Sequence, residues 1–518
     1  MAVNRWLKPL LLAALGLFAF AALPVHAQDT TSAIRGRIID ADGQAIPGAQ
    51  VVISDQRTGT SSTLQTGAGG GFNAGGLRVG GPYRVAVTSA HGDASADDIY
   101  LVLGDSYSLE LTVGAAVTLE QVTVVGKAVT APNTAIGPSA SFGLADLASA
   151  PSVSRDIKDT IRADPRIYID EAFADSIQCA GASSRFNSLT VDGVRLNDNF
   201  GLNSNGYPTE RMPFSYDAIE QVSVELAPFD VQYGGFSACN INAVTKSGTN
   251  EFHGSLFYDY TDDSLTGDSL EGDPVDLGSF DEKRYGFTVG GPVIKNRLFF
   301  LASYEKLEGV DTFSRGPVGS GAGNEVLGVS QAQYDEILDI ARTLYDYDPG
   351  GLPPSIPVED EKFLVKLDWY ITDTQRAAFT YNYNDGYHIA ESDGDSDELE
   401  FSNHYYERGA ELNAYVAQLF SDWTERFSTE LKIGYSELQN RQLSLGGVDF
   451  GEVQIGTENN GSRATVYLGA DDSRHANKLS YDTYNVKLAG EYLLGNHLIT
   501  GGYELERLDV FNQFIQES

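Results

Sequence analysis

The chain has 518 residues, too many for one ordinary domain, with 55 glycines, 27 tyrosines and 25 phenylalanines against two methionines and two cysteines. That profile favours turn-rich, mainly β structure and excludes a helical bundle. Lys and Arg number 35 against 72 Asp and Glu, a formal charge of −37, which repels phosphate backbones and excludes nucleic acid as a partner.

In chain order, the first element is an export signal. Arg5 and Lys8 precede the apolar stretch Leu10 to Leu23, and Val25-His26-Ala27 reads as a small-residue cleavage site, so residues 1–27 are a predicted signal peptide. The stretch is shorter than the roughly 20 residues a bilayer-spanning helix needs, which weighs against an uncleaved anchor. Its removal leaves 33 basic and 72 acidic residues, a net of −39. Export makes Cys179 and Cys239 candidates for a disulfide. Closing a loop of about 60 residues would stabilise by roughly 4 kcal/mol on chain-entropy grounds. A thiol nucleophile is the competing reading, and His253 is the nearby histidine it would have to use.

Residues 28–116 contain short β-rich runs at Ala33–Asp40, Gln50–Asp55, Tyr83–Thr88, Ile99–Leu103 and Ser108–Val113, separated by Gly, Asp and Pro. About seven such strands predict a small sandwich. The run Thr66 to Phe72 is glycine-rich but lacks the Lys-Ser/Thr of a phosphate loop, and is predicted to be a turn. The segment Gly36 to Val51 (GRIIDADGQAIPGAQV) resembles the opening of the carboxypeptidase regulatory-like domain. No peptidase activity follows, since the histidines are scattered and none lies in H-E-x-x-H spacing.

Residues 117–147 hold Leu119-Glu120-Gln121-Val122-Thr123-Val124-Val125, then a small, polar, Pro-containing connector. The apolar strip is either the last strand of the sandwich or an extended segment able to add to another protein's sheet edge. Residues 148–250 read as a mixed α/β unit. Ser154 to Pro165 predicts a short helix with a serine cap and a terminating proline. Val191-Asp192-Gly193 carries a strong hairpin signal, and Tyr233-Gly234-Gly235 leads to the run Asn242 to Gly254 (NAVTKSGTNEFHG).

On these residues the unit resembles the plug domain of TonB-dependent outer-membrane receptors, and NAVTKSGTNEFHG resembles their Oar-like branch. The resemblance implies a receptor or transporter rather than an enzyme, placed in the outer membrane and energised by TonB, with an unidentified substrate. It makes Leu119–Val125 the TonB-box candidate, and gives Val191, Asp192, Gly193, Tyr233, Gly234 and Gly235 structural roles near the barrel wall. One departure is that Pro228-Phe229-Asp230-Val231 stands where siderophore receptors carry Arg-Gly-Pro, which argues against iron chelates as cargo.

Residues 251–518 alternate with a two-residue period, as strands of a transmembrane barrel do. Lys362–Ile371 sets Phe363, Val365, Leu367, Trp369 and Ile371 against Lys362, Lys366 and Asp368. Arg376–Asn384 and Phe427–Ser436 repeat the pattern, and the apolar face carries no charge. A soluble sandwich also alternates. Two features favour the barrel: aromatics crowd the apolar face, and short connections alternate with long ones. The short ones are Pro292–Asn296, Thr372–Gln375, Asp422–Glu425 and Gly495–His497. The long ones are Asp263–Asp281, Gly309–Asp360, His388–Asn403 and Asn440–Lys478. Polar partners are expected to line a water-filled lumen, and Ser330–Tyr345 to form a packed loop helix.

The predicted fold class is therefore mainly β: a small β-sandwich, an α/β plug domain, then the first part of an antiparallel transmembrane β-barrel of about nine strands. Plugged transporters have 22 strands, and Phe514 to Ser518 lacks a closing terminal aromatic, so an incomplete barrel is expected. Predicted partners are TonB, outer-membrane lipid and the unidentified substrate, for a monomer with no cofactor. Asp393-x-Asp395-x-Asp397 matches half a calcium loop, but Glu398 and His404 occupy its glycine and glutamate positions, leaving a solvated acidic loop or, at most, a looser calcium site there or in Asp262–Asp281. The competing function is a structural or adhesive surface protein that uses the barrel as an anchor.

Overall fold

The computed structural model describes residues 30–516 apart from 104–105, 115–137, 173, 204, 227–230, 233–235, 268, 271–272, 275–278, 312–314, 353–355, 425 and 495–496. The predicted signal peptide, Leu119–Val125, Pro228 to Asp230 and Tyr233-Gly234-Gly235 lie outside the described residues.

The first unit is a sandwich of seven strands: β1 (Ser32–Ile39), β2 (Gln50–Asp55), β3 (Thr60–Gln65), β4 (Gly71–Leu77), β5 (Gly80–Ser89), β6 (Gly92–Leu101) and β7 (Ser106–Thr112). They form sheets of order β4-β1-β7 and β3-β2-β5-β6, with β1 and β7 parallel. Alternation explains the core. Ile34 and Ile38 of β1, Val51 and Ile53 of β2, and Val85 and Val87 of β5 point between the sheets and are buried. The glycine run closes a turn, with Gly70 N–H donating to Gly67 O at 2.8 Å. Strands β3 and β4 were not among the predicted runs, because TSSTLQ is polar and GFNAGGL is glycine-rich.

The plug contains β8 (Ser139–Phe142), α1 (Leu144–Ser149), α2 (Ile157–Ile161), β9 (Ile167–Asp170), β10 (Ser176–Cys179), β11 (Ser188–Val191), β12 (Val194–Arg195), β13 (Ile219–Leu226) and β14 (Cys239–Thr245). Its main sheet runs β12-β11-β14-β13-β8, with β11 and β14 parallel. Residues 139–147, assigned from sequence to the connector, here supply β8 and most of α1. SASF is polar and half exposed, so it carries no hydrophobic period, and only its backbone register against Val222–Glu225 makes it a strand. The expected helix is shorter than Ser154–Pro165. Asp156, not Ser154, caps it by accepting from Lys158 N at 2.9 Å, and the hydroxyl of Ser154 instead donates to Asp159.

Among the described residues a nine-stranded antiparallel sheet follows, in the order β15-β18-β19-β22-β23-β25-β26-β29-β30, and is not closed. Its members are β15 (His253–Asp262), β18 (Asp281–Ile294), β19 (Leu298–Asp311), β22 (Ile356–Thr372), β23 (Gln375–Ala390), β25 (Tyr406–Thr424), β26 (Phe427–Ser444), β29 (Ala476–Leu494) and β30 (His497–Ile515). Small strands lie in the long loops: β16 (Ser269–Leu270), β17 (Asp273–Pro274), β20 (Arg315–Val318), β21 (Asn324–Ser330), β24 (Glu398–Glu400), β27 (Val453–Asn459) and β28 (Ser462–Leu468). Helix α3 (Gln331–Leu344), capped by Ser330, packs Tyr334 and Ile337 onto Phe401, Val466 and Leu468, giving the outer loops a core of their own.

The sheet has its polar side inward. Lys362, Lys366, Asp368, Thr380, Asn382, Asn384, Lys432 and Lys487 are buried, while Leu367, Trp369, Phe379, Ile433 and Leu488 are exposed. A water-soluble sheet would do the reverse, so the outward medium is apolar. The expected water-filled lumen needs correction: the plug packs against this polar face, and the core of the plug runs into Ala410, Leu412, Ala414 and Leu438 of the wall.

Two aromatic rows bound the apolar band. Tyr381, Tyr415, Tyr435 and Tyr484 stand side by side on four adjacent strands, with ring centroids 4.9, 6.2 and 5.0 Å apart. Near the short turns, Trp369, Trp423, Phe427 and Tyr492 are exposed in a second row. From Tyr415 to Trp423 the strand travels about 26 Å at ~3.3 Å per residue, or roughly 20 Å of depth at a tilt of about 40°. That is close to the ~25 Å band of an outer-membrane barrel. Beyond the tyrosine row the outward positions turn acidic, at Glu361, Asp385, Glu411, Glu437 and Asp482. The phenols reach that way: Tyr304 donates to Glu361 at 2.8 Å and Tyr435 to Asp482 at 3.0 Å.

Candidate functional site

Asp192 and Gly193 form the tip of the plug hairpin, with φ of 46° and 76°. A two-residue turn with both φ positive matches the twist of the flanking strands, and Asp followed by Gly adopts it at low cost. The turn drives the Asp192 carboxylate into the wall, where it is fully buried. It accepts from Thr245 N at 3.0 Å, Thr245 Oγ1 at 2.7 Å and Thr380 Oγ1 at 2.9 Å, and pairs with Lys366 Nζ at 3.3 Å. Gln418 Nε2 donates to the Asp192 carbonyl at 3.3 Å. One carboxylate thus joins the hairpin to β14 and to wall strands β22 and β23.

Polar contacts of this kind surround the plug. Glu305 of the wall accepts from Ser215 at 3.0 Å and meets Lys362 at 3.5 Å and Arg155 at 3.8 Å. Asn382 donates to Pro213 O at 2.9 Å, Arg408 to Leu202 O at 2.6 Å, and Arg195 pairs with Glu506 at 2.7 Å. Such bonds are worth little net when water can replace either partner, whereas an apolar interface has no aqueous substitute.

At the short-turn end the sandwich covers the plug. Arg57 pairs with Asp55 at 2.9 Å and with Glu220 of the plug at 3.3 Å, and Leu103 N–H donates to Gln221 at 3.0 Å. Burial opposes the charge on Asp55, but the hydrogen bond and the positive charge of Arg57 outweigh it and hold that carboxyl below its usual range. Cys179 and Cys239 are joined by a disulfide inside the plug core.

Of the sequence-predicted site residues, Val191, Asp192 and Gly193 lie at this interface. Lys366, Thr380 and Thr245 were not singled out, because they join the site from strands far apart in sequence. The available signal was the lysine on the polar face of an alternating strand. In the outer loops, Asp395 and Asp397 join no cation-binding set among the described residues. Among the described residues, Asp393 converges instead with His404 and Asp471.

Comparison with known proteins bears on this architecture. Residues 33–131 match the carboxypeptidase regulatory-like domain, 136–239 the TonB-dependent receptor plug domain and 244–314 an outer-membrane β-barrel domain. The chain thus carries a TonB-dependent receptor plug domain followed by outer-membrane β-barrel strands. Among curated relatives of this chain is the TonB-dependent transporter Oar of Myxococcus xanthus, 34% identical over 136 residues, covering 24% of the chain and 12% of Oar. Another is the probable TonB-dependent siderophore receptor PirA of Acinetobacter baumannii, 30% identical over 199 residues, covering 34% of the chain and 24% of PirA. The outer-membrane transporter YddB of Escherichia coli shares the fold at a TM-score of 0.52 and 13% identity, over 73% of the chain and 49% of YddB. The chain thus matches half or less of the length of each of these relatives. Its barrel and plug place it in the outer membrane.

Proposed function

We propose that this receptor is an energy-coupled transporter, in which TonB engages Leu119–Val125 and pulls on the plug that follows it in sequence. The observation that supports this reading is the polar seal around Asp192: a permanent stopper is better served by an apolar joint, and a seal of charges and hydrogen bonds can be opened and rewetted. The segment lies between the sandwich and β8, so tension on it reaches the edge strand of the plug sheet first. No catalytic step is assigned. The cargo is an unidentified substrate, and the siderophore in the name of PirA belongs to PirA.

A second reading, an adhesive or structural surface protein, draws on the outer loops, which fold around a core of their own and are rich in acidic residues. Deletion of residues 119–125 separates the two. Transport predicts that the deletion, at normal outer-membrane levels, erases a TonB-dependent growth or secretion phenotype found in a substrate screen. It also predicts that a peptide of residues 117–127 binds the periplasmic domain of TonB in calorimetry. An unchanged phenotype together with a silent titration would leave the anchor reading standing.

A further inference from the structure

Two outer loops meet at a fully buried histidine. His404 ends the single turn Ser402–His404 in the loop between β23 and β25, and its side chain has no exposed surface. Asp393 belongs to the same loop, and buried Asp471 comes from the loop between β26 and β29. One donor atom of each lies within 4.8 Å of the others.

The proton inventory shows what the cluster requires. His404 Nδ1 is 3.0 Å from the carbonyl oxygen of Gly469. A carbonyl can only accept, so Nδ1 carries a hydrogen in the neutral and in the charged ring alike. Nε2 lies 2.8 Å from Asp393 Oδ2, where a neutral ring presents a lone pair and an imidazolium donates. Two acceptors held that close need a positive species at their common focus, either a proton or a cation. An imidazolium offsets one of the two aspartates, whereas a divalent ion beside a neutral imidazole offsets both. The nearby arginines are engaged elsewhere: Arg315 with the carbonyls of Gly394 and Asp395 and with Glu391, and Arg474 stacked on Tyr406 at 4.1 Å.

The donors are also held in place. Glu400 accepts from the N–H groups of Ser392 at 3.0 Å and Asp393 at 2.6 Å, and Ser392 Oγ donates to His404 O at 3.1 Å. Ser473 N–H fixes Asp471 Oδ1 at 2.6 Å, and the ring of Tyr467 lies 5.1 Å from the imidazole. A histidine whose far nitrogen donates to a backbone carbonyl is the usual support of a metal ligand. The Asp393 side chain is 37% exposed, which leaves one side of the cluster open for a water ligand.

We propose that Asp393, His404 and Asp471 bind one divalent transition-metal ion, which clips the two outer loops together. One nitrogen and two carboxylate donors without sulfur suit Zn2+ or Mn2+, and the imidazole disfavours Ca2+.

The full chain, purified in detergent and stripped with a chelator, is titrated with Zn2+ by calorimetry and with Co2+ by visible absorption. One ion per chain is expected. Affinity should fall at least about 10-fold in H404Q, in D471N and in D393N, and remain unchanged in D397N. D393N is the safeguard against misfolding, since it alters a half-exposed group and keeps its shape. Zn2+ should also slow protease cleavage of the outer loops in the unaltered chain and not in D393N. Absence of saturable one-to-one binding would overturn the proposal, as would binding that survives all three substitutions or loop cleavage that is indifferent to Zn2+.

Discussion

Asp192 shows how much one side chain carries at a plug interface. Replacing it with alanine takes the carboxylate from buried Lys366 Nζ, which keeps only the neutral acceptors Thr245 O and Oγ1, and strands the N–H of Thr245. Loss of one member of a buried pair costs about 3–5 kcal/mol. D192A should therefore unfold at lower urea in detergent and admit antibiotics normally too large for the outer membrane, while K366M in the D192A background restores part of the loss. Full urea resistance in D192A would show that the hairpin is held by its apolar neighbours instead. Asp55 supports a pH prediction at the sandwich. Its folded pKa lies below the unfolded value, so the stabilisation it gives is complete above about pH 4 and is lost as pH falls through the folded value. Melting of the sandwich should drop as pH is lowered below about 4 in the unaltered chain, and D55N should melt lower at pH 7 with a flatter acid response. The hairpin turn was legible in the sequence because Asp192-Gly193 is a local signal. The partners of Asp192 were not, since they converge only when β14, β22 and β23 lie side by side.

At the level of strands, alternation states that two media exist and says little about which is which. Lys362, Lys366 and Asp368 alternate with Phe363, Val365 and Leu367 in the sequence, and the structure shows that the lysine side is the buried one. The expected wet lumen failed because alternation records polarity and not accessibility: a polar face can be dry when another polar surface covers it. The edge strand β8 was illegible for the opposite reason, since its pairing is entirely backbone. Where the apolar band ends is testable. Leu431 points outward between the two aromatic rows, and L431R should cost roughly 2–4 kcal/mol of barrel stability and slow assembly, scored by heat-modifiable migration on gels. Glu437 points outward just beyond the tyrosine row, and E437R should cost about 0–1 kcal/mol there. Equal penalties at the two positions would misplace the membrane boundary drawn at Tyr415 and Tyr435.

For the molecule as a whole, the sandwich bears on plug movement because it sits at the short-turn end. It contacts the wall through Arg376, which donates to Gly76 O at 3.0 Å, and through Arg35 and Glu491 at 3.6 Å. It contacts the plug through Arg57 and Glu220, through Leu103 and Gln221, and through a small apolar cluster of Val79, Leu103 and Val244. A plug displaced toward the short turns would have to part this joint as well as the seal around Asp192. Outside this apolar cluster and the approach of Gly76 to Phe420, the contacts named here are polar pairs, so charge should control the joint more than packing does. E220R sets a guanidinium against Arg57 and should raise deuterium exchange in β13 and in residues 78–83 and 99–103, while the wall strands keep their protection. If protection in those segments is unchanged, the apolar cluster holds the sandwich alone. The plug would then need a stronger pull than its polar seal implies.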